Sequence, residues 1–217
     1  IGIGNQGPNY PFPPTHWIGE HTTKATLAWI DDVPAEDHYF AYVAYNAPHG
    51  PWQVPPAHMF TPTCGASCPP QHLGGEEYPP AQSTNDEHVH VFHWMIEAID
   101  YQIGVLVSEL ENKGRLDDVT FVVVGDNGTE PANLEDTLPY YSGHGKGSVY
   151  QLGVRVPLFV VRGADLLTPW PAAQATSDGL ISAVDLWRTV ANLTGMSNTC
   201  VDLAIAKHNE GEIEPYN

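Results

Sequence analysis

The sequence predicts an α/β fold, a three-layer sandwich built on a largely parallel sheet. Three observations lead there. A continuous bulky, apolar run spans Tyr39-Phe-Ala-Tyr-Val-Ala-Tyr45. A long amphipathic helical pattern follows, and behind it come two β-rich runs, Val119-Thr-Phe-Val-Val-Val124 and Val156-Pro-Leu-Phe-Val-Val161, and a last helical stretch. Strands alternating with helices form layers, and ligand sites in such sheets gather at the carboxyl ends of the strands.

The elements are justified in order as follows. Residues 1–21 hold Pro8, Pro11, Pro13 and Pro14 among glycines and read as loop. Thr22 and Thr23 precede Lys24 to Asp32, a short helical run that Pro34 closes because its ring fixes φ and removes a donor. The run from Tyr39 to Tyr45 suits a strand covered on both faces. Residues 47–85 are Pro-rich, lack periodicity and form a loop insertion longer than an ordinary connection. Thr84-Asn-Asp-Glu87 has the spacing of a capping box. After it Val89, Phe92, Ile96, Ile99, Ile103, Leu106 and Leu110 recur every three or four residues, the seam of a helix that Gly114 ends. Pro157 sets the second late strand at its first turn or at an edge. Ser182 opens a final helix through Leu193, closed by Gly195.

Composition limits the function classes. The chain has 217 residues, 42% apolar and 16% charged, enough to bury a core. Eight Lys plus Arg against 26 Asp plus Glu give a net charge of −18, which repels a phosphate backbone, so nucleic acid is excluded as a partner. No apolar stretch is long enough for a membrane span. The first residues, Ile1-Gly-Ile-Gly4, are neither a start Met nor a signal peptide, so the N-terminus is expected to be internal to a longer product. Cys64 and Cys68 could form a local bridge or half a zinc site, but the second pair that zinc needs is missing and Cys200 does not supply it.

Three segments carry possible chemistry. Val124-Gly-Asp126-Asn127-Gly128 delivers a carboxylate and an amide at the end of a strand, which suits a hard cation such as Ca²⁺, although taken alone the pair reads first as an ordinary Asn-Gly turn. Asn46-Ala-Pro-His49-Gly-Pro51 holds a histidine between two prolines, able to bond an anion or give up a proton, or simply solvated. Gly143-His144-Gly-Lys146-Gly-Ser148 is a Gly-rich loop with a point charge, suited to phosphate or sulfate, or a flexible solvent loop. It lacks the spacing of a P-loop. His90, His93 and Glu97 share one helical face, which reads as a polar solvent stripe rather than a metal cluster.

These segments, in this order, resemble the sulfatases of the alkaline phosphatase superfamily. The matching blocks are Phe40 to Pro55, Met95-Ile-Glu-Ala-Ile-Asp-Tyr-Gln-Ile-Gly104, Val122 to Gly128, Gly145-Lys-Gly-Ser-Val-Tyr-Gln-Leu-Gly-Val-Arg-Val-Pro157 and Ser182-Ala-Val-Asp-Leu-Trp187. The resemblance implies an arylsulfatase-like sulfuric ester hydrolase with an alkaline phosphatase-like fold, Ca²⁺ as metal, and a nucleophile made from cysteine as formylglycine. It implies Asp126 and Asn127 as metal ligands and His49 and Lys146 as catalytic, sulfate-contacting residues, with His144 in the same substrate pocket. The partner implied is a sulfated small molecule or sulfated glycan, and the compartment secreted, lysosomal or periplasmic. Asn192-Leu-Thr194 would then be a usable glycosylation sequon.

The chain departs from the family at its nucleophile. No Cys-x-Pro/Ala-x-Arg segment occurs, and Cys64-Gly-Ala-Ser-Cys68 has Cys where Arg is needed. The upstream aspartate pair and Gly-Lys-x-His segment are also missing, and Asp31-Asp32 falls at a helix end instead. Residues 1–217 are therefore expected to be one partial catalytic domain with a truncated C-terminal region at 196–217, inactive by itself. The alternatives are a non-catalytic sulfatase-like binding protein and a phosphate or phosphonate ester hydrolase.

Overall fold

A computed structural model of the chain describes residues 17–62, 85–134, 142–166, 179–197, 199 and 202. The chain divides into two compact units, Ile1–Ala164 and Asp165–Asn217. Cys64, Cys68, Cys200 and the Thr84 cap lie outside the described residues. Among the described residues no helix is long and apolar enough to cross a membrane.

Helix α1 (Ile18–Asp31) begins a turn and a half before the expected start. Thr22, Thr23 and Thr26 do not cap it. Their hydroxyls donate to the carbonyls of Ile18, Gly19 and Thr22, four residues back, and so sit inside the helix. At the other end Arg115 supplies a cap from a distant part of the chain, its Nη1 donating to the carbonyls of Ile30 at 3.0 Å and Val33 at 2.9 Å. Asp31 pairs with Lys113 at 2.7 Å.

Helix α2 (Asn85–Asn112) is the longest element. It ends as expected at Gly114, whose φ of 65° lets the Arg115 amide return to the Leu110 carbonyl. Its buried stripe differs from the expected seam. Val91, Met95, Ala98, Gln102, Leu106 and Leu110 are buried, while Ile96 is 44% exposed. The stripe is rotated by roughly a quarter turn at about 100° per residue. Trp94 and Met95 decide this, because the larger apolar area they bury outweighs that of Ile96. They pack with Trp17, Val54, Met59 and Phe60, and Phe60 stacks on Trp94 with ring centroids 4.6 Å apart. The first part of the Pro-rich insertion therefore belongs to the core. A second cluster gathers Ile30, Leu110 and Leu116 against Trp29, Tyr39 and Phe121.

Strands β1 (Thr120–Val124) and β2 (Leu158–Arg162) form where expected, but they pair antiparallel, from Thr120 opposite Arg162 to Val124 opposite Leu158. This corrects the largely parallel sheet for the pair described. The reason is the chain between them, which needs no crossover helix. It turns back and bonds to itself, Gly125 N–H to Pro157 O, Gly128 N–H to Gly153 O and Thr129 N–H to Leu152 O. Among the described residues between the strands lie 3₁₀ turns at Pro131–Asn133 and Ser142–His144 and one α-helical turn, α3 (Gln151–Val154), and β2 runs on into another, α4 (Gly163–Leu166).

Residues 39–45 form no strand ladder. They are one-sided, with positions 39, 41, 43 and 45 half-buried and 40, 42 and 44 exposed, Phe40 by 60% and Tyr42 by 84%. The expected two-faced burial fails because only one face of the segment meets packed apolar groups. In the second unit α5 (Ala183–Leu193) follows Ser182, whose amide donates to Asp185 Oδ2 at 2.8 Å. Arg188 pairs there with Asp202.

Candidate functional site

The site is built on the return of the chain after β1. Asp126 and Asn127 follow the strand directly and are exposed. Asn127 donates Nδ2 to the Gly128 carbonyl at 3.1 Å, which leaves Oδ1 uncommitted. Among the described residues the Asp126 carboxylate makes no ion pair. Gly128 is required where it stands, since a Cβ there would lie 2.1 Å from the Leu152 carbonyl oxygen.

The Gly-rich loop is tied to the same place. The Lys146 amide donates to the Thr129 carbonyl at 2.7 Å, and Ser148 N–H reaches Gly145 O at 3.0 Å. Gly147 has φ of 87°, a conformation costly for a residue with a side chain, and it lets the loop turn directly behind Lys146. Among the described residues the Lys146 ammonium makes no ion pair, so its charge faces no carboxylate there. His144 lies in a 3₁₀ turn at Ser142–His144 and stacks on the Tyr150 ring with centroids 3.7 Å apart.

His49 stands on its own turn, closed by its amide on Asn46 O at 3.0 Å. Its Nδ1 contacts the Gly50 carbonyl at 2.6 Å, and because a carbonyl only accepts, Nδ1 carries the hydrogen. Nε2 is then the nitrogen left for chemistry. Upstream, Tyr45 anchors this turn to α1 through a 2.9 Å contact between its hydroxyl and that of Thr23. Burial raises the Tyr45 pKa, and the Thr23 bond lowers it in smaller measure.

The bond from Lys146 to Thr129 thus ties the loop that holds Lys146 and His144 to the chain just past Asp126 and Asn127. Among the described residues no hydrogen bond or ring contact joins His49 to them. Reading the sequence missed Tyr150 and the Thr129 carbonyl. Tyr150 lies within the Gly-Lys-Gly block and was open to notice, but a backbone acceptor leaves no sequence signal.

The donor set tests the metal reading. A carboxylate and an amide oxygen are hard donors of the kind Ca²⁺ takes, but two of them fall short of its shell of six to eight oxygens. Among the described residues no group of three His, Cys, Asp or Glu could hold a metal. The residues fit Ca²⁺ in kind and supply part of its shell. Glu97, from the helical stripe, accepts the Thr61 amide at 2.7 Å and is structural.

The sulfatase family model matches residues 5–196. An arylsulfatase of Klebsiella aerogenes is 25% identical over 154 residues, covering 58% of this chain and 33% of that protein. Two crystal structures of Ps i-CgsB, one in complex with k-i-k-neocarrahexaose, align at a TM-score of 0.60 and 26% identity over 84% of this chain and 35% of theirs. The chain spans about a third of the length of the relatives it matches.

Proposed function

The chain belongs to the sulfatase family, and from that premise we propose that it supplies the metal-binding and sulfate-clamping part of an arylsulfatase-like enzyme that hydrolyses a sulfate ester. The observation that carries the reading is the bond from the Lys146 amide to Thr129, which fastens the cationic loop to the chain just past Asp126 and Asn127. One segment offers oxygens to a metal and the other a fixed positive charge to an anion.

The roles follow from the groups. Asp126 and the Asn127 Oδ1 would hold Ca²⁺, which when bound neutralises the sulfate oxygens. Lys146 donates from Nζ to a sulfate oxygen and stabilises charge that grows as the ester S–O bond breaks. His49, with its Nδ1–H held by Gly50, gives a proton from Nε2 to the departing alcohol oxygen when the ring carries a second proton there, and returns to the neutral form. His144, held against Tyr150, lines the same pocket. A carboxylate-rich chain of net charge −18 needs such a local cation clamp to hold an anionic substrate at all.

We assign the substrate to sulfated glycans, in line with the oligosaccharide bound by Ps i-CgsB. By itself the chain is expected not to turn over, since its 217 residues contain no Cys-x-Pro/Ala-x-Arg segment to supply the formylglycine nucleophile. The enzyme reading places the intact protein in a secreted, lysosomal or periplasmic compartment. The test is mass spectrometry of the native protein combined with a sulfate-release assay. A formylglycine-bearing polypeptide containing this chain and releasing sulfate supports the reading. A native product that binds inorganic sulfate without turnover moves it to a non-catalytic binding protein, and release of phosphate instead of sulfate moves it to a phosphate ester hydrolase.

A further inference from the structure

Lys146 stands at the second position of a four-residue turn, Gly145 to Ser148, closed by the Ser148 amide on the Gly145 carbonyl at 3.0 Å. Gly147, at the third position, has the positive φ of 87° that one class of such turns needs there. Just outside the turn His144 and Tyr150 stack, with ring centroids 3.7 Å apart and planes inclined by 26°. The ring pair therefore closes the loop a second time, beyond the hydrogen bond, with Lys146 between the two rings in sequence.

Tyr150 supplies the anchored side of this closure. Its carbonyl accepts the amides of Gly153 at 2.8 Å and Val154 at 3.1 Å, which joins it to α3. That helical turn is bonded in its own right to the chain leaving β1, through Gly128 N–H to Gly153 O and Thr129 N–H to Leu152 O. It also lies against the lysine turn, because a Cβ on Gly153 would come within 2.4 Å of the Ser148 carbonyl oxygen and 2.6 Å of that of Gly145. Yet Tyr150 is 53% exposed and Val149 beside it 90%, so this stretch adds little to any core. What the Tyr150 ring covers is the imidazole two residues before Lys146.

We propose that Tyr150 is a positioning residue for the sulfate clamp, which holds His144 and so keeps the turn that carries Lys146 closed. The inference rests on the sulfate-ester reading above and deepens it. A lysine is a compact charge on a flexible stem, so the ordering cost of clamping an anion falls when the root of that stem is already fixed. The hydrogen bond and Gly147 set the shape of the turn, and the ring pair resists its opening. In this role the phenol acts through its ring face, and its hydroxyl is dispensable.

The test uses the full chain, inorganic sulfate as the probe, and amide NMR, which reads affinity from shifts and mobility from relaxation. Tyr150→Leu is expected to weaken sulfate binding roughly three- to tenfold, the scale of one aromatic pair, with the unfolding midpoint unchanged. The Lys146 and Gly147 amides should pass from the rigid range, with order parameters of about 0.85, to below about 0.6. Tyr150→Phe, which keeps the stacking face, should restore both. In a Lys146→Ala background Tyr150→Leu should cost nothing more, since its effect runs through the lysine. Unchanged sulfate affinity in Tyr150→Leu overturns the proposal. So does a loss in Tyr150→Phe as large as in Tyr150→Leu, which would make the hydroxyl a ligand, or a loss that persists in the Lys146→Ala background. A fall in the unfolding midpoint large enough to explain the weaker binding overturns it as well, and leaves Tyr150 a stability role only. If Lys146→Ala binds sulfate like the wild type, the sulfate-ester reading fails, and the order parameters alone then decide whether Tyr150 holds the loop.

Discussion

Lys146 and Thr129 are joined main chain to main chain, amide to carbonyl at 2.7 Å. The position of the lysine thus depends on the backbone, and its charge on the side chain alone. Substitutions that touch only the side chain separate the two.

In a complete sulfatase carrying this sequence, Lys146→Ala is expected to lower turnover by about 10²–10³-fold, the usual loss for one donor to a developing charge. Thermal stability should stay within the small range of surface substitutions. Asp126→Ala should lower turnover similarly and weaken Ca²⁺ binding in calorimetry. Unchanged turnover in both variants would sink the site assignment.

Gly128→Ala acts on the backbone instead. Its Cβ meets the Leu152 carbonyl oxygen at 2.1 Å, so the bonds from Gly128 and Thr129 to Gly153 and Leu152 must open. A loss of about 1–3 kcal/mol in urea unfolding is expected, as for overpacking elsewhere, with reduced sulfate binding even though Lys146 is intact. A variant as stable as the wild type would contradict the packed geometry.

Arg115 closes the end of α1 through the Ile30 and Val33 carbonyls and lies 5.2 Å from the centre of the Tyr39 ring. Arg115→Ala should cost roughly 2–3 kcal/mol, the scale of hydrogen bonds from a charged donor. Arg115→Lys is expected to recover only part, because a single ammonium lacks the second guanidinium nitrogen that reaches the Pro34 carbonyl at 3.4 Å. The denaturation midpoints of the three proteins order these outcomes.

Tyr45 gives a pH signature. Burial raises its folded-state pKa above the ordinary value of 10.0, so the folded chain keeps a proton that the unfolded chain releases. The stability this contributes is complete below about pH 10 and is lost as pH rises from there through the raised pKa. Tyr39, raised by burial and lowered in part by Arg115, acts in the same direction. Tyr45→Phe should lose about 1 kcal/mol at neutral pH with the Thr23 bond, and its stability should fall less steeply in alkali. An equally steep fall in the variant would point to other groups.

Much of the fold was legible because periodicity and punctuation agreed. The α2 run and Gly114, the β1 and β2 runs, and Ser182 before α5 each combine a pattern with a stop or start signal. What was not legible depended on partners far away in sequence. The direction of β2 follows from backbone bonds made by residues 125–129. The early start of α1 follows from threonines that can cap or back-bond with the same hydroxyl. The face of α2 was set by Trp17, Met59 and Phe60, which the helix pattern does not contain. At the site Asp126, Asn127 and Lys146 were legible as residue types in order, and their linkage was not, since Thr129 contributes only a carbonyl.

The segment 39–45 bears on how the polypeptide behaves in a tube. Its backbone makes no ladder, and Phe40 and Tyr42 face outward, which makes it a ready template for a strand from another molecule. The net charge of −18 opposes that encounter by mutual repulsion. Salt shortens the reach of the repulsion to about 3 Å at 1 M while leaving the sticky edge unchanged. Colloidal stability should therefore be highest in dilute buffer and fall with added electrolyte, so a purification that relies on high-salt steps would select for aggregate.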